Sequence, residues 1–282
     1  QDWFKKMKNI SVKIGKNNIG NHLPLTLISG PCVVESKQHA LDTAGKINEI
    51  CSLLGINFIY KSSFDKANRS SIKSSRGVGL NKSLTIFSEI KKKYKCSITT
   101  DVHEPNQCSK VSKVVDLLQI PAFLCRQTDL LVAASKTKKP VNVKKGQFLS
   151  PTEIKNVISK IKNNNQILLT ERGYSFGYNN LISDMRSLAI MKKTGFPVIF
   201  DATHSVQRPS AGDGVTGGDR ELAPVLARAA AAVGIDGLFC EVHPNPDKAL
   251  SDGPNSLTFE LLEKTLTSVC AIDQIQRSAS ID

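Results

Sequence analysis

Leu25-Thr26-Leu27-Ile28-Ser29-Gly30-Pro31-Cys32 is a short apolar run closed by a Gly-Pro break, and a helical pattern follows it at once. The run has the length and character of a buried strand. Beyond it Ser36 is placed to cap a helix. Leu41, Ala44, Ile47, Cys51 and Leu54 recur on one face of that helix, and Gly55 stops it. The same unit then recurs. Further strand-like runs cover Phe58–Ser62, Ser97–Val102, Leu117–Pro121, Val141–Lys145, Ile167–Glu171, Pro197–Thr203 and Gly237–Val242. Helical stretches separate them. Ser150-Pro151-Thr152-Glu153 is a capping box with Pro at the first helical position, leading into Ile154, Val157, Ile158 and Ile161. Another helix holds Leu222, Val225, Leu226, Ala229 and Val233, and the last runs from about Ser256 to Ile275. Eight strands, each followed by a helix, in 282 residues predict α/β architecture as a closed (β/α)8 TIM barrel. An open doubly wound sheet is the alternative. Residues 10–27 read as extended, with a turn at Asn17-Asn18, so 1–24 is predicted to be an N-terminal extension carrying a β-hairpin. With no linker or composition break, residues 1–282 read as one barrel domain.

Composition narrows the class. Hydrophobic content is 40% and charged content 22%, as in an ordinary folded protein. No apolar run approaches the roughly 18 residues of a membrane span, and the start, Gln1-Asp2-Trp3-Phe4-Lys5-Lys6, has no signal-peptide core. The seven cysteines are odd in number and scattered, with no CxxC pair, which points to a reducing, cytoplasmic setting. A net charge of +13 admits nucleic acid, anionic membrane or anionic small substrates. Aromatics are only 6% and no nucleic-acid-binding motif is evident, so small anions are the expected partners, with neither nucleic acid nor membrane.

In a barrel the chemistry sits at the C-terminal ends of the strands. Taken in order, those ends carry Cys32, Lys61, Asp101 with His103, Gln119, Lys144, Arg172, His204 and Glu241. Turn formers would be the ordinary content of such positions, so reactive groups at every end predict an active site. One subset is cationic: Lys61, Lys66, Arg69, Lys144 and Arg172. Buried lysines need an anion or a carboxylate, so either multiply anionic substrates or ion pairs with Asp65, Asp101 or Glu171 are implied. The other subset is Cys32, His204, Glu241 and Asp252. Thiolate, imidazole and carboxylate together suit a borderline divalent ion such as Zn2+, Fe2+, Mn2+ or Co2+. Barrel closure makes the first, seventh and eighth strands neighbours, and so could bring these four together. The bland reading of Cys32 is a small buried residue after a turn.

The stretch from Tyr60 to Gly77 holds three lysines, two arginines and six serines, and reads as one wall of an anion pocket. Gly212-Asp213-Gly214-Val215-Thr216-Gly217 matches GxGxxG but lies well past its strand, so a flexible lid over 208–219 is the better reading than a dinucleotide site. His22 and His39 read as ordinary histidines, and His243 as a weaker candidate near the mouth.

Lys61-Ser62-Ser63-Phe64-Asp65-Lys66-Ala67-Asn68-Arg69-Ser70-Ser71 resembles the signature of the 3-deoxy-D-manno-octulosonate 8-phosphate (KDO 8-phosphate) synthases. Thr100–Glu104, Gln119–Leu130, Asn142–Phe148, Phe176–Asn180 and Asp201–Ser205 are similar to that family's further motifs, and the likeness runs from about residue 25 to 270. The resemblance implies a (β/α)8 barrel, assembled as a homotetramer, that condenses phosphoenolpyruvate with arabinose 5-phosphate and water for lipopolysaccharide synthesis. It implies phosphoenolpyruvate contacts at Lys61, Ala122, Lys144 and Arg172, with Gln119 nearby, and arabinose 5-phosphate contacts at Lys66, Asn68, Arg69 and Ser70. Arg126 resembles an arginine that reaches a neighbouring subunit's sugar phosphate. Lys61, Lys144, Arg172, His204 and Asp101 are the expected catalytic set. Cys at position 32, rather than Asn, resembles the metal-dependent branch, with Cys32, His204, Glu241 and Asp252 as ligands. Ser251-Asp252-Gly253-Pro254-Asn255 departs from that pattern by joining Ser-Asp of one branch to Gly-Pro-Asn of the other, which separates metal binding from strict metal requirement. Three rivals remain: a heptulosonate 7-phosphate synthase using erythrose 4-phosphate, a Schiff-base aldolase on Lys61 or Lys144, and a nucleic-acid binder.

Overall fold

The computed structural model describes residues 9–69, 72, 74–161, 165–212 and 215–279. The eight expected strands are all present: β3 (Thr26–Gly30), β4 (Asn57–Lys61), β5 (Ser97–Asp101), β6 (Leu117–Ile120), β7 (Val141–Lys144), β8 (Ile167–Glu171), β11 (Val198–Asp201) and β14 (Gly237–Glu241). They pair in parallel as a closed barrel in the order β11-β14-β3-β4-β5-β6-β7-β8. Closure places β14 between β3 and β11, so the ends bearing Cys32, His204 and Glu241 are neighbours. Gly30, the last residue of β3, lies tight against β4 on its other side. A Cβ there would stand 2.0 Å from the Lys61 carbonyl oxygen.

The helices are α1 (Lys37–Leu54), α2 (Leu80–Tyr94), α3 (Pro105–Val111), α4 (Thr128–Lys136), α5 (Ile154–Ile158), α6 (Arg186–Lys192), α7 (Ala202–Ser205), α8 (Ala223–Val233) and α9 (Phe259–Ser278). Local chemistry sets their ends. The Ser36 side chain accepts the His39 N–H, and Gly55 closes α1 at φ +67°. The Ser150/Glu153 capping box is formed, but it opens a 3-10 turn over Pro151–Glu153, and α5 stops at Ile158, short of Ile161. The buried face of α8 is alanine: Ala223, Ala227, Ala230 and Ala231. Leu222 and Val225, which the hydrophobic pattern singles out, are about half exposed, because small side chains let this helix sit close to the sheet.

The hairpin exists, with its turn moved. β1 (Ser11–Ile14) and β2 (Asn17–Gly20) pair antiparallel. The turn is Gly15-Lys16, with Gly15 at φ +57°, while Asn17 and Asn18 belong to β2. Its apolar side chains Val12, Ile14 and Ile19 pack with Ile28, Ile59, Leu117, Leu168, Ile199 and Phe239 in the barrel interior. Ser97 Oγ donates to the Ile14 carbonyl (3.0 Å) and Asn17 Nδ2 to the Phe58 carbonyl (3.2 Å). Ser97 and Phe58 lie at the N-terminal ends of their strands, so the hairpin is a plug for the end opposite the chemistry. Ile14→Ala is expected to cost about 2–5 kcal/mol, read as a lower urea midpoint, because a fully buried side chain leaves a cavity that the plug cannot refill.

Two further antiparallel pairs decorate the barrel among the described residues: β9 (Tyr174–Ser175) with β10 (Leu181–Ile182), and β12 (Gln207–Gly212) with β13 (Val215–Gly218). The expected lid segment therefore contains a two-stranded ribbon. Its Asp213 and Gly214 lie outside the described residues. No helix among the described residues is long and apolar enough to cross a membrane.

Candidate active site

The strand alternation that buries Ile28, Ile59 and Phe239 also turns the last residues of β4, β5, β7, β11 and β14 inward. Those residues are Lys61, Asp101, Lys144, Asp201 and Glu241; Lys61, Asp101 and Lys144 line a cavity of about 1450 Å³ at the C-terminal mouth, and Asp201 and Glu241 sit behind them as ion-pair partners. The fully buried Phe239 ring lies beneath the two lysines, with Lys144 Nζ 3.9 Å and Lys61 Nζ 5.5 Å from its centroid.

The lysines are matched by carboxylates. Lys61 Nζ stands 3.3 Å from Asp101 Oδ2 and 3.4 Å from Glu241 Oε1. Burial works against its charge, but the two carboxylates outweigh burial and raise its pKa. Lys144 Nζ is 2.5 Å from Asp201 Oδ2, and here burial wins and lowers the amine's pKa. Lys66 has no carboxylate within ion-pair distance among the described residues, and its Nζ donates to Ser63 Oγ at 3.2 Å. Arg172 Nη2 donates to the His204 carbonyl and to Gln207 Oε1, both at 2.8 Å, and its buried Nε has no partner among the described residues. Lys66 and the Arg172 Nε edge are therefore the donors left for an incoming anion.

A polar layer beneath fixes Asp101. Thr170 Oγ1 donates to Asn142 Oδ1 (2.7 Å), Asn142 Nδ2 to Gln119 Oε1 (3.0 Å), and Gln119 Nε2 to Asp101 Oδ1 (2.8 Å). Ser63 Oγ donates to the other oxygen, Oδ2, at 2.5 Å. Burial pushes the Asp101 carboxyl up, yet Lys61, Lys66 and Lys144 hold it below the usual carboxylate range.

The second cluster lies beside the lysines. Cys32 Sγ is 2.8 Å from Asp252 Oδ2, and Cys32, Glu241 and Asp252 bring ligand atoms all within 4.8 Å of one another. His204 stands at the edge of this group, its Nε2 3.4 Å from Glu241 Oε1 and 3.9 Å from Asp252 Oδ2. Its Nδ1 is 2.7 Å from Asp201 Oδ2, the carboxylate–histidine arrangement that turns Nε2 toward a ligand. Glu241 Oε2 is buried without a hydrogen-bond partner among the described residues. Burial, with Asp252 and Glu241, pushes the Cys32 thiol well above its ordinary pKa. Only a cation offsets those carboxylates enough for a thiolate to form. The donor set and the orphaned oxygen both fit a divalent ion.

Residues 7–277 match the DAHP synthetase I family. The chain belongs to that family. Among its relatives, a Francisella tularensis subsp. holarctica protein is 56% identical over 269 residues, covering 95% of this chain and 98% of its own length. A Legionella pneumophila protein is 58% identical over 261 residues, with coverage of 92% and 95%. A Brucella ovis protein is 54% identical over 272 residues, with coverage of 96% and 98%. All three bear the name 2-dehydro-3-deoxyphosphooctonate aldolase.

In this chain Lys61, Lys66, Asn68, Arg69, Asp101, Ala122, Lys144, Arg172, His204 and Asp252 all line that cavity. Cys32 and Glu241 lie against it through Asp252 and Lys61. Gln119 does not line it; both ends of its amide are spent on Asn142 and Asp101. Arg126 is exposed and outside the lining. Ser70 lies outside the described residues. His243 also falls outside the lining. Glu35, His39 and His243 bring ligand atoms within 4.8 Å. His243 Nδ1, however, accepts the Asn245 N–H at 3.0 Å, and its Nε2 faces Glu35 Oε1 at 3.3 Å. An imidazole accepting at Nδ1 keeps its proton at Nε2 and offers that cluster no lone pair. Sequence reasoning missed Asp201, Ser63 and Gln207. Asp201 ends β11, so the strand-end argument that found Lys61 applied to it as well. Ser63 sits inside the Tyr60–Gly77 pocket wall with nothing to mark it among six serines, and Gln207 carried no signal.

Proposed function

We propose that this chain is a KDO 8-phosphate synthase, joining phosphoenolpyruvate, arabinose 5-phosphate and water into 3-deoxy-D-manno-octulosonate 8-phosphate and inorganic phosphate. The names of its relatives support the octulosonate product over the heptulosonate one. The observation that carries the reading is that one cavity joins the buried cations Lys61, Lys144 and Arg172 to a Cys/Glu/Asp cluster with His204 at its edge. In this reading C3 of phosphoenolpyruvate bonds to the sugar's aldehyde carbon, water adds at C2, and phosphate leaves by C–O cleavage. Lys61, Lys144 and Arg172 hold the phosphoenolpyruvate carboxylate and phosphate, with Ala122 against it, and stabilise the developing negative charge. Gln119 acts from below by orienting Asp101. Lys66, Asn68 and Arg69, with Ser70, take the sugar phosphate at the rim. Two anions brought together in one cavity lose little further entropy on reaction.

Cys32, His204, Glu241 and Asp252 would hold the divalent ion. Such an ion supplies Lewis acidity toward a carbonyl oxygen or lowers the pKa of a water. Asp201 holds the His204 ring and the Lys144 ammonium together, so a proton or charge arriving at either is felt by the other. We further infer a cytoplasmic, tetrameric enzyme in which Arg126, exposed on the outer surface, reaches a neighbour's sugar-phosphate site.

One assay tests the reading: phosphate release from phosphoenolpyruvate with arabinose 5-phosphate or with erythrose 4-phosphate, each with and without chelator. Release is expected with arabinose 5-phosphate alone. Release only with erythrose 4-phosphate would transfer the chain to the heptulosonate activity. The lowered Lys144 amine favours one second reading, a Schiff-base aldolase, and borohydride inactivation in the presence of a keto-acid product would support it.

A further inference from the structure

Gln207 touches both halves of the cavity at once. Its Oε1 accepts from Arg172 Nη2 at 2.8 Å, and its Nε2 donates to Asp252 Oδ1 at 2.9 Å. The same Arg172 nitrogen also donates to the His204 carbonyl at 2.8 Å. One guanidinium is thereby tied to the backbone of one candidate ligand and, through Gln207, to the side chain of another. With Oδ1 engaged by Gln207, Asp252 turns Oδ2 toward Cys32 Sγ at 2.8 Å, Ser251 Oγ at 3.3 Å and His204 Nε2 at 3.9 Å.

The Asp252 backbone makes this tether more than decoration. Asp252 adopts φ +51°, a left-handed conformation costly for a residue with a Cβ. Its carbonyl is held by the Asn255 N–H (3.1 Å) and by Ser256 through both its N–H (3.0 Å) and its Oγ (2.9 Å). The ribbon that begins at Gln207 is seated against the same turn. Gly218, paired with Gln207 in register, lies so close to Asn255 that a Cβ would stand 1.8 Å from its Oδ1. The turn carrying Asp252 is thus clamped by its own backbone bonds, by the ribbon base and by Gln207.

We infer that Gln207 is a positioning residue that couples the anion-binding half of the site to the metal-binding half. It orients Asp252 toward the ion and Arg172 toward phosphoenolpyruvate, so each occupant prepares the site for the other. This rests on the metal and phosphoenolpyruvate assignments proposed above. A neutral amide is suited to the task, since it donates to one charged partner and accepts from the other; a carboxylate or an amine could do only one. Coupling of this kind is reciprocal: the factor by which phosphoenolpyruvate tightens the ion is the factor by which the ion tightens phosphoenolpyruvate.

The test measures Mn2+ affinity of the metal-stripped full-length protein by titration calorimetry, without and with saturating phosphoenolpyruvate. The reciprocal phosphoenolpyruvate titration is run without and with Mn2+. Wild type is expected to show a coupling factor of about five or more in both directions. Gln207→Met, which removes both hydrogen bonds at similar volume, should bind Mn2+ about 10–100-fold more weakly and bring the coupling factor toward one. Gln207→Glu keeps an acceptor for Arg172 and loses the donor to Asp252. Its coupling should vanish while phosphoenolpyruvate affinity without Mn2+ stays nearer wild type. A purely structural role would lower Tm and scale both affinities without touching the coupling factor. Wild-type Mn2+ affinity and coupling in both variants, with Cys32→Ser having lost Mn2+ binding, would overturn the role of Gln207 alone. Wild-type Mn2+ affinity in Cys32→Ser would overturn the metal assignment and this inference with it.

Discussion

Lys61→Met is expected to lower kcat/KM for phosphate release by at least about 10², and to cost about 3–5 kcal/mol of stability. The two losses share a cause. Lys61 Nζ sits between Asp101 Oδ2 and Glu241 Oε1 at 3.3 and 3.4 Å, and both carboxylates are buried. A methionine fills the stem's volume but leaves two buried negative charges without their shared partner. In the proposed reaction it also removes the cation facing phosphoenolpyruvate and puts net negative charge where an anion must bind. The pH dependence carries a sign. In the folded chain Asp101 is held below the usual carboxylate range, because Lys61, Lys66 and Lys144 outweigh burial. A depressed carboxyl adds stability above its unfolded pKa of about 4, and that stability is lost as pH falls toward the folded value. Removing Lys61 raises the Asp101 pKa and removes much of this contribution. The stability gap between wild type and variant, read by urea unfolding, should be wide at neutral pH and close only as pH falls below about 4, toward the depressed folded value. A folded Lys61→Met protein with wild-type kcat/KM would dismiss Lys61 from the chemistry.

What was legible in advance, and what was not, divides along physical lines. Barrel strands announce themselves locally, through short apolar runs and turn punctuation, and their ends follow by counting. That is why Lys61, Asp101, Lys144, Arg172 and Glu241 could be named from Gly30-Pro31 onward. Partnership is not local. The lysines converge as expected, but each strand-end lysine has its own carboxylate, Asp101 with Glu241 or Asp201. The site is a balanced network rather than a surplus of positive charge, with Lys66 and one edge of Arg172 left over. Gln119 stands at a strand end as counted, yet its neighbours on β5 and β7 consume its amide. The hairpin was legible as two short strands, but its role as a barrel plug was not, because Val12, Ile14 and Ile19 meet their partners only after closure. The turn was misplaced for a simpler reason: Gly15 supplies the positive φ that Asn17-Asn18 was expected to supply.

Cys32→Ser, or thorough chelation of wild type, is expected to reduce phosphate release by at least about 10², with bound metal falling in parallel. A serine conserves the small buried volume and retains a partner for Asp252 Oδ2, so a merely structural cysteine would tolerate it. The chemistry differs in what can be ionised. Burial and the Asp252 and Glu241 carboxylates already push the Cys32 thiol well above its ordinary pKa, so the thiolate forms only when a cation replaces the proton. A serine hydroxyl, far less acidic, makes that exchange at no accessible pH, and it is a harder ligand poorly matched to a borderline ion. Metal binding to wild type should therefore release about one proton from Cys32, measurable as a calorimetric enthalpy that varies with the buffer's ionisation enthalpy, and affinity should fall as pH falls. Cys32→Ser should lose that proton release. Returning Mn2+, Zn2+, Fe2+ or Co2+ to chelated wild type should restore activity, and the same addition should leave the variant inactive. Full activity in chelated, demonstrably metal-free wild type would reduce the Cys32, His204, Glu241 and Asp252 cluster to a structural network. Lys61, Lys144 and Arg172 would then have to stabilise the reacting charge without it.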